Sequence, residues 1–418
     1  MAIPETNWAG NVTFGAARVL RPGSVERLRE LIADSTGARV LGSGHSFSRI
    51  TDTAGDLLWL DGLPGTVRID PEQLTVTTAG WVRYGDLAAG LQQAGYALHN
   101  LASLPHISVA GACATGTHGS GDGNGSLATA VSALEMVMAD GRLLTVSREG
   151  GDFPGMVVAL GALGVVTSMT LDIEPTYTVR QWVYQDLPRN RLDAHFAEIF
   201  ASGYSVSVFT DWRPPYAFRI WLKQRAGADG WWTPEPRWLD ARLAETPQHP
   251  VPGMDPSATT QQLGVPGPWH ERLPHFRPEY TPSSGDELQS EYLVPRELAV
   301  RALAALDPIA DRIAAVLRIM EIRTIASDEL WLSPFCQRDS AGFHFTWVQD
   351  FQAVTPVLAA IEERLAPFAA RPHWGKVFLG EPGPLYPRLP DFAELMARYD
   401  PEGKFRNAFI DDCLPPDR

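Results

Sequence analysis

Residues 38–48, Ala-Arg-Val-Leu-Gly-Ser-Gly-His-Ser-Phe-Ser, constrain this chain more than any other stretch. An apolar, strand-like run ends at Leu41, and Gly42 and Gly44 flank Ser43 directly before His45. Glycine lets the backbone turn tightly and brings its N–H groups close to a ligand, which suits a pyrophosphate. A histidine on that loop stands beside whatever the loop holds. The residues alone also fit an ordinary strand-to-loop turn with an exposed His45. A nicotinamide-binding fingerprint fits less well, because Phe47 stands where its third glycine belongs.

A chain of 418 residues corresponds to roughly two to three domains. With 44% hydrophobic and 20% charged residues it can bury a large core. A net charge of −14 argues against nucleic acid and anionic membrane as partners. Three cysteines, Cys113, Cys336 and Cys413, are too few for a disulfide framework and fit a reducing compartment, so a cytoplasmic location is expected. The opening residues show no basic and apolar leader pattern, and no apolar run reaches the length of a membrane span.

Along the chain, Val12, Phe14 and Ala16 alternate weakly, as in a strand. Ser24 caps a helix with Val25, Leu28, Leu31 and Ile32 on one face. Strands are expected at 39–41, 57–60, 66–69 and 74–78, and a helix at 84–94 stopped by Gly95. Ser108 opens a short helix of small residues through Ala114. Residues 116–125 then hold five glycines among polar residues and read as a loop, either lining a ligand or lying free on the surface. A hairpin turns at Asp140-Gly141, a helix covers 153–163 and a strand 164–174. Pro175 closes a first domain, residues 1–175.

The second domain, 176–370, opens with strands at 179–184, 206–209 and 218–223 and a helix at 191–201. Residues 226–286 carry eleven prolines and four tryptophans, which forbid long regular elements yet argue against disorder, so an ordered lid or interface is expected. His270-Glu-Arg-Leu-Pro274 starts like a zinc-protease helix, but Pro274 replaces the second histidine. A strand at 288–294, one long helix at 296–317, strands at 318–325 and 342–348 and a helix at 354–365 describe an α+β layer. Its sheet is expected to be mainly antiparallel with helices on one face. Residues 371–418 form a C-terminal segment returning to the site, with a last helix at 391–399.

Side chains alternate across a strand, so Glu321 and Arg323 share a face, as do His344 and Thr346. The opposite faces hold Met320, Ile322, Phe343, Phe345 and Trp347. Such alternation also describes a sheet with one solvated face. Here the polar residues are strong hydrogen-bonders, and His373 and Lys376 lie in a Trp-Gly loop nearby in sequence. Together they offer donors and acceptors for a polyhydroxylated ligand.

Val40-Leu-Gly-Ser-Gly-His-Ser46, Ala102-Ser-Leu-Pro-His-Ile-Ser-Val-Ala-Gly111, Ala114-Thr-Gly-Thr-His-Gly-Ser-Gly121, Glu321-x-Arg323 and His373-Trp-Gly-Lys376 occur in this order. In this combination the chain resembles the vanillyl-alcohol oxidase type of FAD enzymes. It is most similar to the alditol oxidases, and more distantly to aldonolactone oxidoreductases. The resemblance implies a two-domain α+β fold, an FAD-binding domain and a cap with an antiparallel sheet. It implies that Val40, Leu41, Gly42, Ser43, Gly44, His45 and Ser46 hold the pyrophosphate and that His45 carries the flavin covalently. Ser103, Ser108, Gly111, Thr115, Gly116, Thr117, His118, Val166 and His373 match flavin-contacting positions. Ser103, Glu321, Arg323, Thr346 and Lys376 match positions that grip the alditol, with Arg323 and Lys376 as charge stabilisers. His344 and water remain open as proton acceptors, and no metal is called for. The implied reaction converts the primary alcohol of xylitol or sorbitol to an aldose with release of hydrogen peroxide, in a monomer whose partners are the polyol and oxygen. An aldonolactone-type FAD dehydrogenase with another acceptor and a polyol-binding module without redox chemistry are the alternatives. Asp122 departs from the pattern, which has an apolar residue there; it either lines the pocket or faces solvent.

Overall fold

The computed structural model describes residues 5–214, 218–226, 233–280 and 286–414. Strand β1 (Arg18–Leu20), helix α1 (Val25–Asp34), β2 (Ala38–Leu41) and β3 (Asp56–Trp59) build a small parallel sheet in the order β1-β3-β2. Ser24 caps α1, its Oγ accepting from the Arg27 N–H at 3.2 Å, and Leu28 and Ile32 bury the apolar face. Arg39 on β2 is buried, and its guanidinium donates to the carbonyls of Ile50, Leu160, Gly161 and Phe405. One side chain thereby ties the glycine loop after β2 to two distant segments.

A five-stranded antiparallel sheet follows, from β4 (Val67–Asp70) and β5 (Thr75–Ala79), then helices α2 (Tyr84–Gln93) and α3 (Val109–Ala114), then β6 (Val131–Val137), β7 (Leu143–Ser147) and β8 (Val165–Asp172). The order is β4-β5-β8-β6-β7. Gly95, at φ +84°, ends α2 in a left-handed conformation. Val109, Ala112 and Cys113 of α3 pack into this sheet's core, which leaves Ala110, Gly111 and Ala114 toward a cavity.

The larger sheet has ten antiparallel strands. Its main strands are β9 (Thr178–Leu187), β10 (Ser205–Thr210), β11 (Phe218–Arg225), β12 (Glu287–Pro295), β13 (Leu317–Ile325) and β14 (Ser340–Val348), in the order β9-β11-β10-β13-β14-β12. Val206, Ile220, Met320, Ile322, Phe343 and Phe345 face helices that include Ala299–Leu306 and Phe351–Leu365. The alternate residues face the other way, toward the cavity. The antiparallel sheet with helices on one face is thus as expected.

Several local expectations give way to tertiary detail. The 296–317 helix is two, Ala299–Leu306 and Ala310–Val316, because Pro308 supplies no backbone N–H. The 153–163 helix stops at Val157, and the chain turns through positive φ at Leu160 and Gly161. The 191–201 helix breaks at His195 into Arg189–Ala194 and Phe196–Ala201. Val12 to Ala16 is not a strand: Thr13 makes one isolated antiparallel bridge with Thr6, and the first strand starts at Arg18. The helix Ala408–Cys413 was not anticipated.

The proline-rich segment runs as short pairings and 3-10 turns, with Trp269 fully buried. His270 lies in such a turn and not on a zinc-protease helix. Residues 227–232 and 281–285 of this segment, with two of its tryptophans, lie outside the described residues. So do residues 1–4, the start of the leader reading.

Candidate active site

One cavity of about 370 Å³ runs between the glycine loop after β2, helix α3 and the polar face of the large sheet. At the loop end it is lined by Val40, Leu41, Gly42, Ser43, Gly44, His45 and Ser46. A Cβ on Gly42 would stand 2.6 Å from Ser108 Oγ, and one on Gly111 would stand 2.7 Å from it, so both glycines are needed for this close approach. The Ser108 N–H donates to Ser43 Oγ at 3.3 Å, locking the loop to the start of α3. His45 Nδ1 lies 3.0 Å from the Ser43 carbonyl, which only accepts, so Nδ1 carries the proton and Nε2 keeps its lone pair. Its ring stacks on Trp8 at 5.3 Å, and burial lowers its pKa to about 4. Ser103, Thr115, Thr117, His118 and Val166 line the same space.

The other end is built by strand register. Glu291 on β12 pairs with His344 on β14, His344 with Glu321 on β13, and Glu321 with Phe209 on β10. Alternation then brings Gln289, Thr346 and Arg323 to the same face. Glu291 is at the centre and fully buried. Arg323 Nη2 stands 2.8 Å from its carboxylate, His118 Nε2 3.1 Å, His344 Nδ1 3.4 Å and Lys376 Nζ 3.9 Å. Burial works to raise the Glu291 pKa, yet Arg323 and His118 outweigh it and hold the group well below the carboxylate range. Glu321 is likewise held ionised against burial by Arg323 and His275, whose Nε2 lies 2.8 Å away. Lys376 donates to Gln289 Oε1 at 2.6 Å, and burial lowers its pKa to about 8. Burial lowers His344 to about 4, so its imidazole is neutral near pH 7.

Three buried carboxylates of this cavity, Glu287, Glu291 and Glu321, thus share their end of it with the buried Arg323 and the partly buried Lys376, which offset part of their charge. One donor is left over. Arg323 Nε is buried without a hydrogen-bond partner, and Glu321 Oε1 at 3.7 Å is too far to serve. A ligand oxygen in the cavity would satisfy it.

His118, Glu291 and His373 bring ligand atoms within 4.8 Å of one another, a spacing that could hold a metal ion. Arg323 and Lys376 already compensate Glu291, however, and a divalent ion would stand against both. The donor set fits FAD better. Residues 40–46 and 102–118 contain no carboxylate, only glycines, hydroxyls, histidines and small apolar residues, and that suits an anionic pyrophosphate beside a flat ring.

The sequence-derived residues Glu321, Arg323, His344, Thr346, His373 and Lys376 all border this cavity. Gly116 does not; its positive φ of +66° and a prospective Cβ 2.8 Å from Pro334 Cδ mark a packing position. Asp122 neither lines the cavity nor faces water alone, because it is ion-paired with Arg296 on the far side of the loop. Sequence reasoning missed Glu291, Gln289 and His275. Glu287, Gln289 and Glu291 show the alternation used for β13 and β14, so the signal for the first two was present. His275 sits in an irregular segment with no periodicity to betray it.

Residues 16–147 match a family model described as an FAD binding domain, and residues 286–413 one described as D-arabinono-1,4-lactone oxidase. The chain superposes on cholesterol oxidase from B. sterolicum with a TM-score of 0.77 at 16% identity, over 98% of this chain and 96% of the other. Fold, cavity and matched domain define an FAD-dependent oxidoreductase with the two-domain vanillyl-alcohol oxidase-type architecture. An alditol oxidase of Streptomyces sp. is 51% identical over 99% of this chain and 100% of its own length. An L-gulono-1,4-lactone dehydrogenase of Mycobacterium tuberculosis is 28% identical over 98% of this chain and 99% of its own. The chain belongs to the alditol oxidase family.

Proposed function

We propose that the protein oxidises the primary alcohol of linear polyols such as xylitol and sorbitol to the aldose, with oxygen as electron acceptor. The observation that carries this reading is the mostly buried polar and charged face of Glu291, Glu321, Arg323, Thr346, Gln289 and Lys376 opposite the glycine loop. A polyol brings a row of hydroxyls that both donate and accept, and such a face leaves few of them unpaired. When bound, FAD supplies the two-electron acceptor for the alcohol's hydride and passes the electrons to oxygen as hydrogen peroxide.

Residues 40–46 would hold the pyrophosphate, and His45 would carry the flavin covalently. Ser103, Ser108, Gly111, Thr115, Thr117, His118, Val166 and His373 shape the ring site. Glu321 accepts from substrate hydroxyls, and the free Arg323 Nε donates to one. Lys376 and Arg323 stabilise the negative charge that develops on the reacting oxygen. His344 takes the hydroxyl proton. Its Nδ1–H faces Glu291 at 3.4 Å, which leaves Nε2 as the lone-pair side and a carboxylate to support the charged ring.

The test is anaerobic mixing of the yellow protein with xylitol, followed by admission of air. Rapid bleaching and then stoichiometric peroxide are expected. Bleaching by ethanol as fast as by xylitol would overturn the substrate class. The lactone-oxidase match over 286–413 favours one second reading, oxidation of an aldonolactone, and faster bleaching by a 1,4-lactone than by xylitol would select it.

A further inference from the structure

Lys223 on β11 is a buried lysine that the reaction above does not use. It is 1% exposed, and its ammonium contacts neutral acceptors: the Leu273 carbonyl in a short hydrogen bond, the Pro274 carbonyl at 3.3 Å and Nδ1 of His275 at 3.2 Å. As an ammonium, its form below about pH 7, Lys223 has only donors, so the Nδ1 it meets must be an acceptor. The single proton of a neutral His275 then sits on Nε2, the atom 2.8 Å from Glu321 Oε1. The ring plane is fixed as well. Phe209 and Trp221 meet it edge to face at 5.5 and 5.3 Å, with interplanar angles of 70° and 84°. Lys223, His275 and Glu321 form a line that starts beneath the proline-rich segment and ends at the cavity wall.

We propose that Lys223 and His275 are positioning residues for Glu321: the lysine sets the histidine tautomer, and the histidine Nε2–H holds one carboxylate oxygen so that the other faces the substrate. The proposal rests on the polyol reading of this cavity. A carboxylate free to rotate would fold onto Arg323 Nε, which stands only 3.7 Å away, and remove both groups from substrate recognition. Held by His275, Glu321 stays apart from Arg323, and each keeps a valence for a hydroxyl. The burial that lowers His275 to about 4 keeps the ring neutral, as a tautomer lock requires. Lys223 also explains why the segment 273–275, which has no regular structure, is fixed at the sheet: two of its carbonyls are bound from below.

Two measurements on the holoenzyme decide it. Nitrogen-15 NMR of histidine-labelled wild type at about pH 6, where Lys223 is charged and His275 neutral, should show His275 protonated at Nε2 with Nδ1 as a hydrogen-bond acceptor, and Lys223→Met should weaken that preference. A wild-type Nδ1–H tautomer overturns the lock without any reference to activity. In kinetics with xylitol, His275→Leu should raise KM about 10- to 100-fold, the loss of one charge-assisted hydrogen bond, with kcat changed by less than about threefold. His275→Gln, whose amide N–H can replace Nε2–H, should recover most of that KM. A folded His275→Leu with wild-type KM, or a Gln variant no better than Leu, overturns the positioning role. Wild type that fails to oxidise xylitol overturns the polyol reading and with it the role toward substrate, while the NMR result still decides the tautomer lock.

Discussion

At the scale of single residues the site is a balance between burial, which drives groups neutral, and a few pairings that keep them charged. Lys376 shows the balance most directly: burial, with Arg323 beside it, pulls its pKa down to about 8, against Glu291 first and then Glu287 and Glu321. If its charge steadies the reacting oxygen, Lys376→Met should slow flavin reduction by xylitol about 100- to 1,000-fold while flavin content stays normal. The same argument sets a pH dependence. The wild-type rate should fall as pH rises through about 8, where Lys376 loses its proton. Lys376→Arg, which stays charged to far higher pH, should lose that alkaline fall even if it is slower throughout. A rate independent of pH from 7 to 10 in wild type would count against the role. His45 makes a separate prediction, because it lines the cavity and its Nδ1 is occupied by the Ser43 carbonyl. Acid-precipitated wild type should remain yellow and His45→Ala should not; a wild type that releases all its flavin on precipitation would disprove the covalent link.

At the scale of elements, the glycine loop works because it lies against the start of α3. Gly42→Ala places a methyl 2.6 Å from Ser108 Oγ, and overpacking of this kind costs about 1–3 kcal/mol. Ser108 Cβ is 3.8 Å from the same point, an ordinary contact, so Ser108→Ala removes the clash and keeps the rest. Gly42→Ala should therefore lower the melting temperature and flavin content, and the double variant with Ser108→Ala should recover stability. A double variant as unstable as Gly42→Ala would place the cause elsewhere. This contact was half legible in the sequence: the glycines announced a close approach, but not the helix they approach. Strands β13 and β14 were legible because alternation carries both their period and their polar face. Glu291 had the same period in β12 and was passed over, since a strand reading that began at Leu288 centred on the apolar residues. The break at Pro308 was written in the chain as well. There an amphipathic stripe over residues 296–317 outweighed one missing N–H in the reading, whereas the backbone obeys the proline. His275 was illegible, because only the folded path of a proline-rich segment brings it to Glu321.

At the scale of the whole molecule, two walls meet around one cavity, and the buried basic groups between them make stability depend on pH in a definite direction. Burial lowers His275 and His344 to about 4, with Lys223 and Lys376 as the next causes, while the unfolded chain protonates its histidines below about 6.5. Between those values the unfolded state binds more protons, so each group makes stability rise with pH by about 1.4 kcal/mol per unit. Glu321 and Glu291 act at the acid end: held below the carboxylate range, they contribute stability above about pH 4.3 that is lost as pH falls toward their folded values. The lysines extend the rise on the other side. Lys223 sits at about 7 and Lys376 at about 8, and the unfolded chain keeps its lysines protonated to about 10.4. From about pH 7 upward to that point these two groups bind more protons in the unfolded state, and their contribution to stability continues to increase. Urea unfolding free energies should therefore climb from pH 4 to about 8; above that the rise should stop, because burial raises Cys113, Cys336 and Cys413 to about 12, 11 and 12 while the unfolded chain loses its thiol protons from about 8.5. Lys223→Met isolates one contribution: it removes a titrating group whose folded and unfolded values differ, so its curve should be flatter than wild type between pH 7 and 10 by about 1.4 kcal/mol per unit. The same slope in both proteins would mean that Lys223 remains charged in its buried seat, held by the carbonyls of residues 273 and 274 more strongly than burial opposes it.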